Sequence, residues 1–334
     1  MSGVRDGWPL NYNTMKGLMQ RDGLMVSRMR EKLRLIRSGD GSHSKTKLVV
    51  LACGGGLRGA FGGGVLVGLS QLGFREVFDI AVGVSAGAAN IAYFLSGQTA
   101  VGMSIYLEEM VSSRFINPLR LWKIADLDFI EQMIRDSPKR LDVEAVRGSR
   151  SEFFVGSTNV HGRGEFINAK RSADMVSTLK GSMGLPVLYN RVTRVEQGEF
   201  VDGDVALSLA VPEVMSSFSP TDLLIIMNRP YANFKEPFSF LQTWLSTMFL
   251  RSFSKDFRKA YFLKNEDHNR RLRLMHSGDC FVGANVSVVC PDYELPLFTR
   301  NVDEMKRFAD SGTEKILAIF EGHDRATELD SAAS

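Results

Sequence analysis

From Lys47 the chain alternates short apolar runs with segments of helical spacing. KLVVLAC, Lys47 to Cys53, is a β-branched run, and GAFGGGVLVGLSQLG, beginning at Gly59, reads as a glycine-rich helix. FDIAVGVS, from Phe78, is a second apolar run, followed by AGAANIAYFLSG as a second helix. Strands that are apolar throughout, rather than alternating, are buried on both faces. A β-α-β-α order of such strands predicts an α/β fold with a mainly parallel central sheet flanked by helices.

The pattern continues in both directions. Ile105 to Leu141 reads as helical with a short loop around Asn117-Pro118, and EFFVGSTNV and GEFINA read as strands joined by HGRG. LYNRVTR and GEFVDGD flank a turn, TDLLIIMN is another buried strand, VSVVCPD a late one, and VDEMKRFADSGTEKILAIFEG a closing helix. Residues 238–277 read as mainly helical; their charge run KNEDHNRRLRLMH is expected to be a solvated helix face. FSFLQTWLSTMFLRSF, Phe238 to Phe253, either packs into the protein or rests on a bilayer surface. Ahead of the first strand, Met15 to Arg37 places Met and Leu at helical spacing among basic residues. Such a basic amphipathic helix either attaches to an anionic membrane surface or caps the domain. The polar SGDGSHSKTK after it is a linker. The expected organisation is an N-terminal helix and linker over 1–46, one catalytic domain over 47–322 and a polar tail over 323–334.

Composition excludes some classes of function. A net charge of +3, from 41 basic and 38 acidic residues, argues against nucleic acid as a partner. The three cysteines, Cys53, Cys280 and Cys290, form neither a disulfide framework nor a metal finger and fit a reducing, cytoplasmic setting. No uninterrupted apolar stretch is long enough to span a bilayer, so any membrane contact would be peripheral. Oligomeric state is not legible.

Two glycine motifs carry the chemistry. Gly54-Gly55-Gly56-Leu57-Arg58-Gly59 satisfies the dinucleotide pattern GxGxxG between a strand and a helix. That reading needs an acidic residue at the end of the next strand, whereas Glu76 and Asp79 precede it. Gly83-Val84-Ser85-Ala86-Gly87 is a GxSxG between a strand and a small-residue helix, the setting of a nucleophile elbow. With Ser85 as nucleophile, the bare N–H groups of Gly54, Gly55 and Gly56 can meet the oxyanion of an acyl-transfer intermediate, since no Cβ blocks approach. Arg58 either fixes that loop or faces solvent. Glycine costs roughly 1 kcal/mol per helical position, so Gly62-Gly63-Gly64 implies that their helix runs close to the sheet or to the Ser85 helix.

A serine needs a base. None of His43, His161, His268, His276 and His323 stands in a motif-like context. Asp202, closing the apolar run of GEFVDGD, is the better candidate, because a partly desolvated carboxylate can take the proton.

Taken together, GGGLRG, GVSAG, Asp202-Gly203 placed 117 residues after the serine, and Pro186 in GSMGLPVL resemble the patatin-like phospholipase family, most closely its bacterial cytoplasmic branch. The resemblance implies a three-layer α/β/α fold, a Ser85–Asp202 dyad without histidine and GGGLRG as oxyanion hole. It also implies hydrolysis of acyl-lipid esters through an acyl-enzyme, with no metal or nucleotide cofactor. One residue departs: Asp204 stands where the family usually has Gly or Ala, so a second carboxylate either raises the proton affinity of Asp202 or faces solvent. Two alternatives follow, a catalytically weak member with an interaction role and a nucleotide-binding α/β protein.

Overall fold

Five consecutive buried residues, Leu48–Ala52, form the central strand β1 in a computed structural model that describes residues 12–39, 46–117, 119–120 and 123–332. Helix α1 (Tyr12–Ser38) precedes it, and α2 (Gly59–Gln71), β2 (Ile80–Val84), α3 (Ala86–Leu95) and α4 (Thr99–Ser104) follow. The middle of the chain supplies α5 (Leu127–Asp136), α6 (Val143–Gly148), β3 (Glu152–Asn159), β4 (Gly164–Asn168), α7 (Met175–Met183), β5 (Thr193–Val195) and β6 (Gly198–Asp202). The last third adds α8 (Val211–Phe218), β7 (Asp222–Ile226), α9 (Phe240–Phe249), α10 (Lys255–Ser277), β8 (Asn285–Val289) and α11 (Val302–Ala332).

The sheet runs β5-β6-β3-β2-β1-β7-β8, with β4 also paired to β3. Strands β3, β2, β1, β7 and β8 are parallel; β4 and β6 run against β3, and β5 against β6. Alternation along β1 divides the interior. Leu48, Val50 and Ala52 join a core with residues of α2, α3 and α11, whereas Val49, Leu51 and Cys53 join one with α8 and α10. Helices on both faces make the three-layer α/β/α architecture, and they explain why the strands read as continuous apolar runs.

The described part of α1 caps the body. Met25, Val26 and Met29 are buried in the core, Lys32 pairs with Asp79, and Ser287 Oγ donates to Asp22 at 2.6 Å. Residues 1–11 and the linker residues 40–45, with His43, lie outside the described residues. At the other end, α11 is continuous across the expected boundary at 322. Two local expectations need correction. Between Ile105 and Leu141 the helical stretches stop at Met110 and resume at Leu127; the intervening segment is held by turn bonds and an Ile116–Ala125 bridge. The charge run of α10 is not a solvated face: Lys264, His268 and Arg271, spaced i, i+4, i+7, are buried on the side that carries Leu272 and Met275. Arg271 is held there by Glu213 of α8 through a bidentate pair, its Nη2 donating at 2.7 Å.

The glycines of α2 permit close approach in three directions. Gly62 faces Ile226 and Asn228, and Gly63 faces Met103 and Asn90. Gly64 meets α11, where a Cβ would overlap the Ala309 carbonyl, and Gly312 of α11 lies as tightly against the Phe61 carbonyl. Backbone cannot step aside as a side chain can. Gly64→Ala is therefore expected to destabilise the fold by about 3 kcal/mol, read as a melting temperature lower by roughly 6 °C or more.

Candidate active site

Ser85 occupies the turn between β2 and α3 with φ 53° and ψ −126°. This left-handed backbone costs a residue other than glycine about 1–3 kcal/mol. The flanking glycines make room for it: a Cβ on Gly87 would overlap the Ala52 carbonyl, and one on Gly83 would stand 2.7 Å from Ala88 N. A polar clamp holds the turn, because Ser85 N–H donates to Ser182 Oγ at 2.8 Å and Ser182 Oγ donates to Gly156 O at 2.5 Å.

Strand register brings Asp202 to the serine. β2 pairs with the first half of β3 and ends with Val84 opposite Gly156; β6 then takes over the same edge, with Asp202 opposite Ser157. The residue after β2 and the last residue of β6 therefore meet. Ser85 Oγ donates to Asp202 Oδ2 at 2.9 Å, and both residues are at most 5% exposed. Asp202 Oδ1 accepts from Asp204 N–H at 2.8 Å, and Asp202 N–H donates to Gly184 O at 3.1 Å. The GSMGLP segment thus grips both partners, the serine through Ser182 and the aspartate through Gly184.

Burial first, and the Asp204 charge second, push the Asp202 carboxyl up to about 7, against the downward pull of its bonds from Asp204 N–H and Ser85 Oγ and of the Lys264 charge. Asp204 behaves oppositely. Burial would raise it, but Lys235, Lys264 and His268 together hold it at about 2. Its Oδ2 accepts from Lys235 Nζ at 3.2 Å, so the extra carboxylate turns inward to a cation rather than to solvent. Lys264 is buried over the Tyr261 ring, 4.2 Å from its centroid, and burial lowers its ammonium below the ordinary lysine value.

The glycine loop opens at the same edge of the sheet. A Cβ on Gly54 would lie 3.1 Å from Ser85 Cβ, and no described residue accepts from the N–H groups of Gly54, Gly55 or Gly56. Asn228, at the end of β7, staples the loop: its Nδ2 donates to Cys53 O at 2.7 Å and its Oδ1 accepts from Gly62 N–H at 2.9 Å. Arg58 is tied down as well, Nε to Leu295 O at 2.7 Å and Nη2 to Glu294 at 2.7 Å.

No described histidine is hydrogen-bonded to Ser85 or Asp202. His268 is buried beside Ser208, 2.7 Å from its Oγ, and desolvation followed by the Lys235 charge lowers it to about 3. His276 packs on Tyr231, and His323 contacts Ser27. The acidic residues required by a nucleotide site are committed elsewhere: Asp79 accepts from Leu48 N–H at 2.8 Å, at the amino edge of the sheet and remote from the glycine loop, and Glu76 pairs with Arg75. Among the described residues no group of three or more His, Cys, Asp or Glu side chains could hold a metal ion. Burial raises all three thiols, Cys53 to about 12, which makes them poor nucleophiles.

Sequence reasoning missed Ser182, Asn228 and the α10 cations. Asn228 carried one weak signal, a polar amide directly after a fully apolar strand. The cations carried a stronger one, since they share the helical phase of Tyr261, Leu272 and Met275.

The chain is 26% identical over 207 residues to the uncharacterized protein YjjU of Escherichia coli (strain K12), an alignment covering 59% of this chain and 57% of that relative's length. Among solved structures, VipD from Legionella pneumophila aligns over 84% of this chain and 68% of its own, at 12% identity and a TM-score of 0.45. The profile of the patatin-like phospholipases matches residues 50–215, a span that contains the glycine loop, the elbow and Asp202. This segment is a patatin-like phospholipase domain, the domain of a family of lipid acyl hydrolases.

Proposed function

We propose that the protein hydrolyses the carboxylic esters of acyl lipids, as a phospholipase A or lysophospholipase, with Ser85 as nucleophile and Asp202 as base. The observation that carries this reading is the 2.9 Å bond from Ser85 Oγ to a buried carboxylate at a strained elbow. In the acylation step Asp202 takes the Ser85 proton as Oγ attacks the acyl carbonyl. The oxyanion faces the N–H groups of Gly54–Gly56, held by Asn228 and Arg58, and the N-terminus of α3 favours the same charge. Collapse expels the alcohol, which takes the proton from Asp202. Asp202 then deprotonates a water that attacks the acyl-enzyme, and the fatty acid leaves with Ser85 restored. A base near neutrality suits both transfers, because it can accept and return a proton at physiological pH. The free cysteines favour a cytoplasmic site of action.

A fluorophosphonate probe tests this directly. Ser85 Oγ is expected to displace fluoride and form a phosphonate ester, found by peptide mapping on the Ser85 peptide alone. Absence of labelling would favour a catalytically weak member with an interaction role.

A further inference from the structure

We propose that α9 and the first turns of α10 form a docking surface for an anionic phospholipid bilayer. Phe240, Leu241, Trp244, Leu245 and Met248 fall at i, i+1, i+4, i+5 and i+8, one face of a helix, and all are exposed, Phe240 to 88% and Trp244 to 54%. The opposite face carries Ser246, the buried residue of α9. A contiguous apolar stripe of this size, presented outward, marks an interaction surface. No helix among the described residues is long and apolar enough to cross a membrane, and a ten-residue helix of this kind suits burial in the plane of the interface.

Charge selects the occupant. Directly after α9 come Arg251, Lys255, Arg258 and Lys259, none of them ion-paired to a described residue, against the single acidic Asp256. Three of these cations lie in the first two turns of α10, where the helix dipole disfavours positive charge. The helix gains nothing internally from them, whereas lipid phosphates beside an inserted apolar face would pair with them. α1 presents no comparable stripe over its described residues: Met25, Val26 and Met29 are buried in the core, Leu33 packs against it, and of its large apolar side chains Leu24 alone is exposed.

The surface is joined to the candidate dyad. Ser246 is hydrogen-bonded to Tyr261, whose hydroxyl feels the Asp202 charge, and Leu250 packs with Val201 and Tyr261. Docking through α9 would seat the carboxylate edge of the sheet on the lipid surface. That consequence rests on the proposed hydrolase reading; the docking itself does not.

Co-sedimentation in the Ser85→Ala background, which separates binding from turnover, tests the surface. The full chain is expected to pellet with vesicles of mixed phosphatidylcholine and phosphatidylglycerol, and less with phosphatidylcholine alone. Phe240→Ser/Trp244→Ser/Met248→Ser should weaken binding by about 100-fold, and Arg251→Gln/Lys255→Gln/Lys259→Gln by about tenfold, with unchanged melting temperatures. Wild-type affinity in either triple variant, or a full chain that stays in the supernatant, would overturn the proposal. So would a concentration-dependent dimer that the apolar variant abolishes without vesicle binding, since the face would then belong to a second copy. Should the apolar variant fail to fold, Trp244 emission decides, taken as the difference between the full chain and Trp244→Phe. A shift to shorter wavelength on mixed vesicles supports docking, and unchanged emission overturns it.

Discussion

Ser85→Ala is expected to lower kcat/KM for a short-chain p-nitrophenyl ester by about four orders of magnitude, while leaving the fold intact. Removal of Oγ deletes the atom that is positioned both to attack an acyl carbon and to pass its proton to Asp202. The backbone gives the experiment an internal control. At φ 53° and ψ −126° alanine keeps the strain that serine has, whereas glycine adopts this region freely. Ser85→Gly should be equally inactive yet about 1 kcal/mol more stable than Ser85→Ala, seen as a higher melting temperature. Both variants lose the same hydrogen bond to Asp202, so their difference reports the relief of strain net of the extra freedom that glycine has in the unfolded chain. Retained turnover in Ser85→Ala would remove the serine from the mechanism.

Much of this site was legible because its two loops are local in sequence. The runs β1-turn-α2 and β2-turn-α3 each declare themselves by an apolar strand broken by glycines, and a parallel sheet brings both turns to one edge without further information. The approach of Asp202 could not be read in that way. It depends on β6 taking the edge of β3 where β2 stops, a register set by pairing between strands more than 40 residues apart. Local pattern offered Asp202 as a candidate base at the end of a strand closing in Asp-Gly, and the family resemblance paired it with Ser85; neither supplied the register. The α10 cations were misread for a different reason. Charge density suggested solvent, but the energetic unit is the helix face, and on that face Lys264, His268 and Arg271 are in phase with apolar residues. The burial of Lys264 matters to the chemistry, since its charge helps to keep Asp204 ionised beside the candidate base.

Asp202→Asn is expected to lower kcat/KM by about 10³- to 10⁴-fold, and its pH behaviour distinguishes loss of a base from loss of structure. The amide can still accept from Asp204 N–H and donate to Ser85 Oγ, so both hydrogen bonds of the carboxylate have replacements. On the proposed mechanism only the ionised carboxylate takes the serine proton. With Asp202 raised to about 7, kcat/KM should climb with pH and level off above that value. Stability should move in the opposite direction. Between the ordinary aspartate value and about 7 the native state holds a proton that the unfolded chain has released, so the wild type loses stability as pH rises through this window and is flat above it. The full shift corresponds to about 4 kcal/mol at most. The amide of the Asp202→Asn variant cannot ionise, and that variant should be free of the slope: its melting temperature should exceed the wild type by a few degrees at pH 8 and match it near pH 4. A mild effect of Asp202→Asn beside a severe one of His268→Ala would hand the role of base to the histidine. The combination of lost activity and stability gained only at high pH is specific to a carboxylate kept buried, against its own solvation, for the sake of its proton affinity.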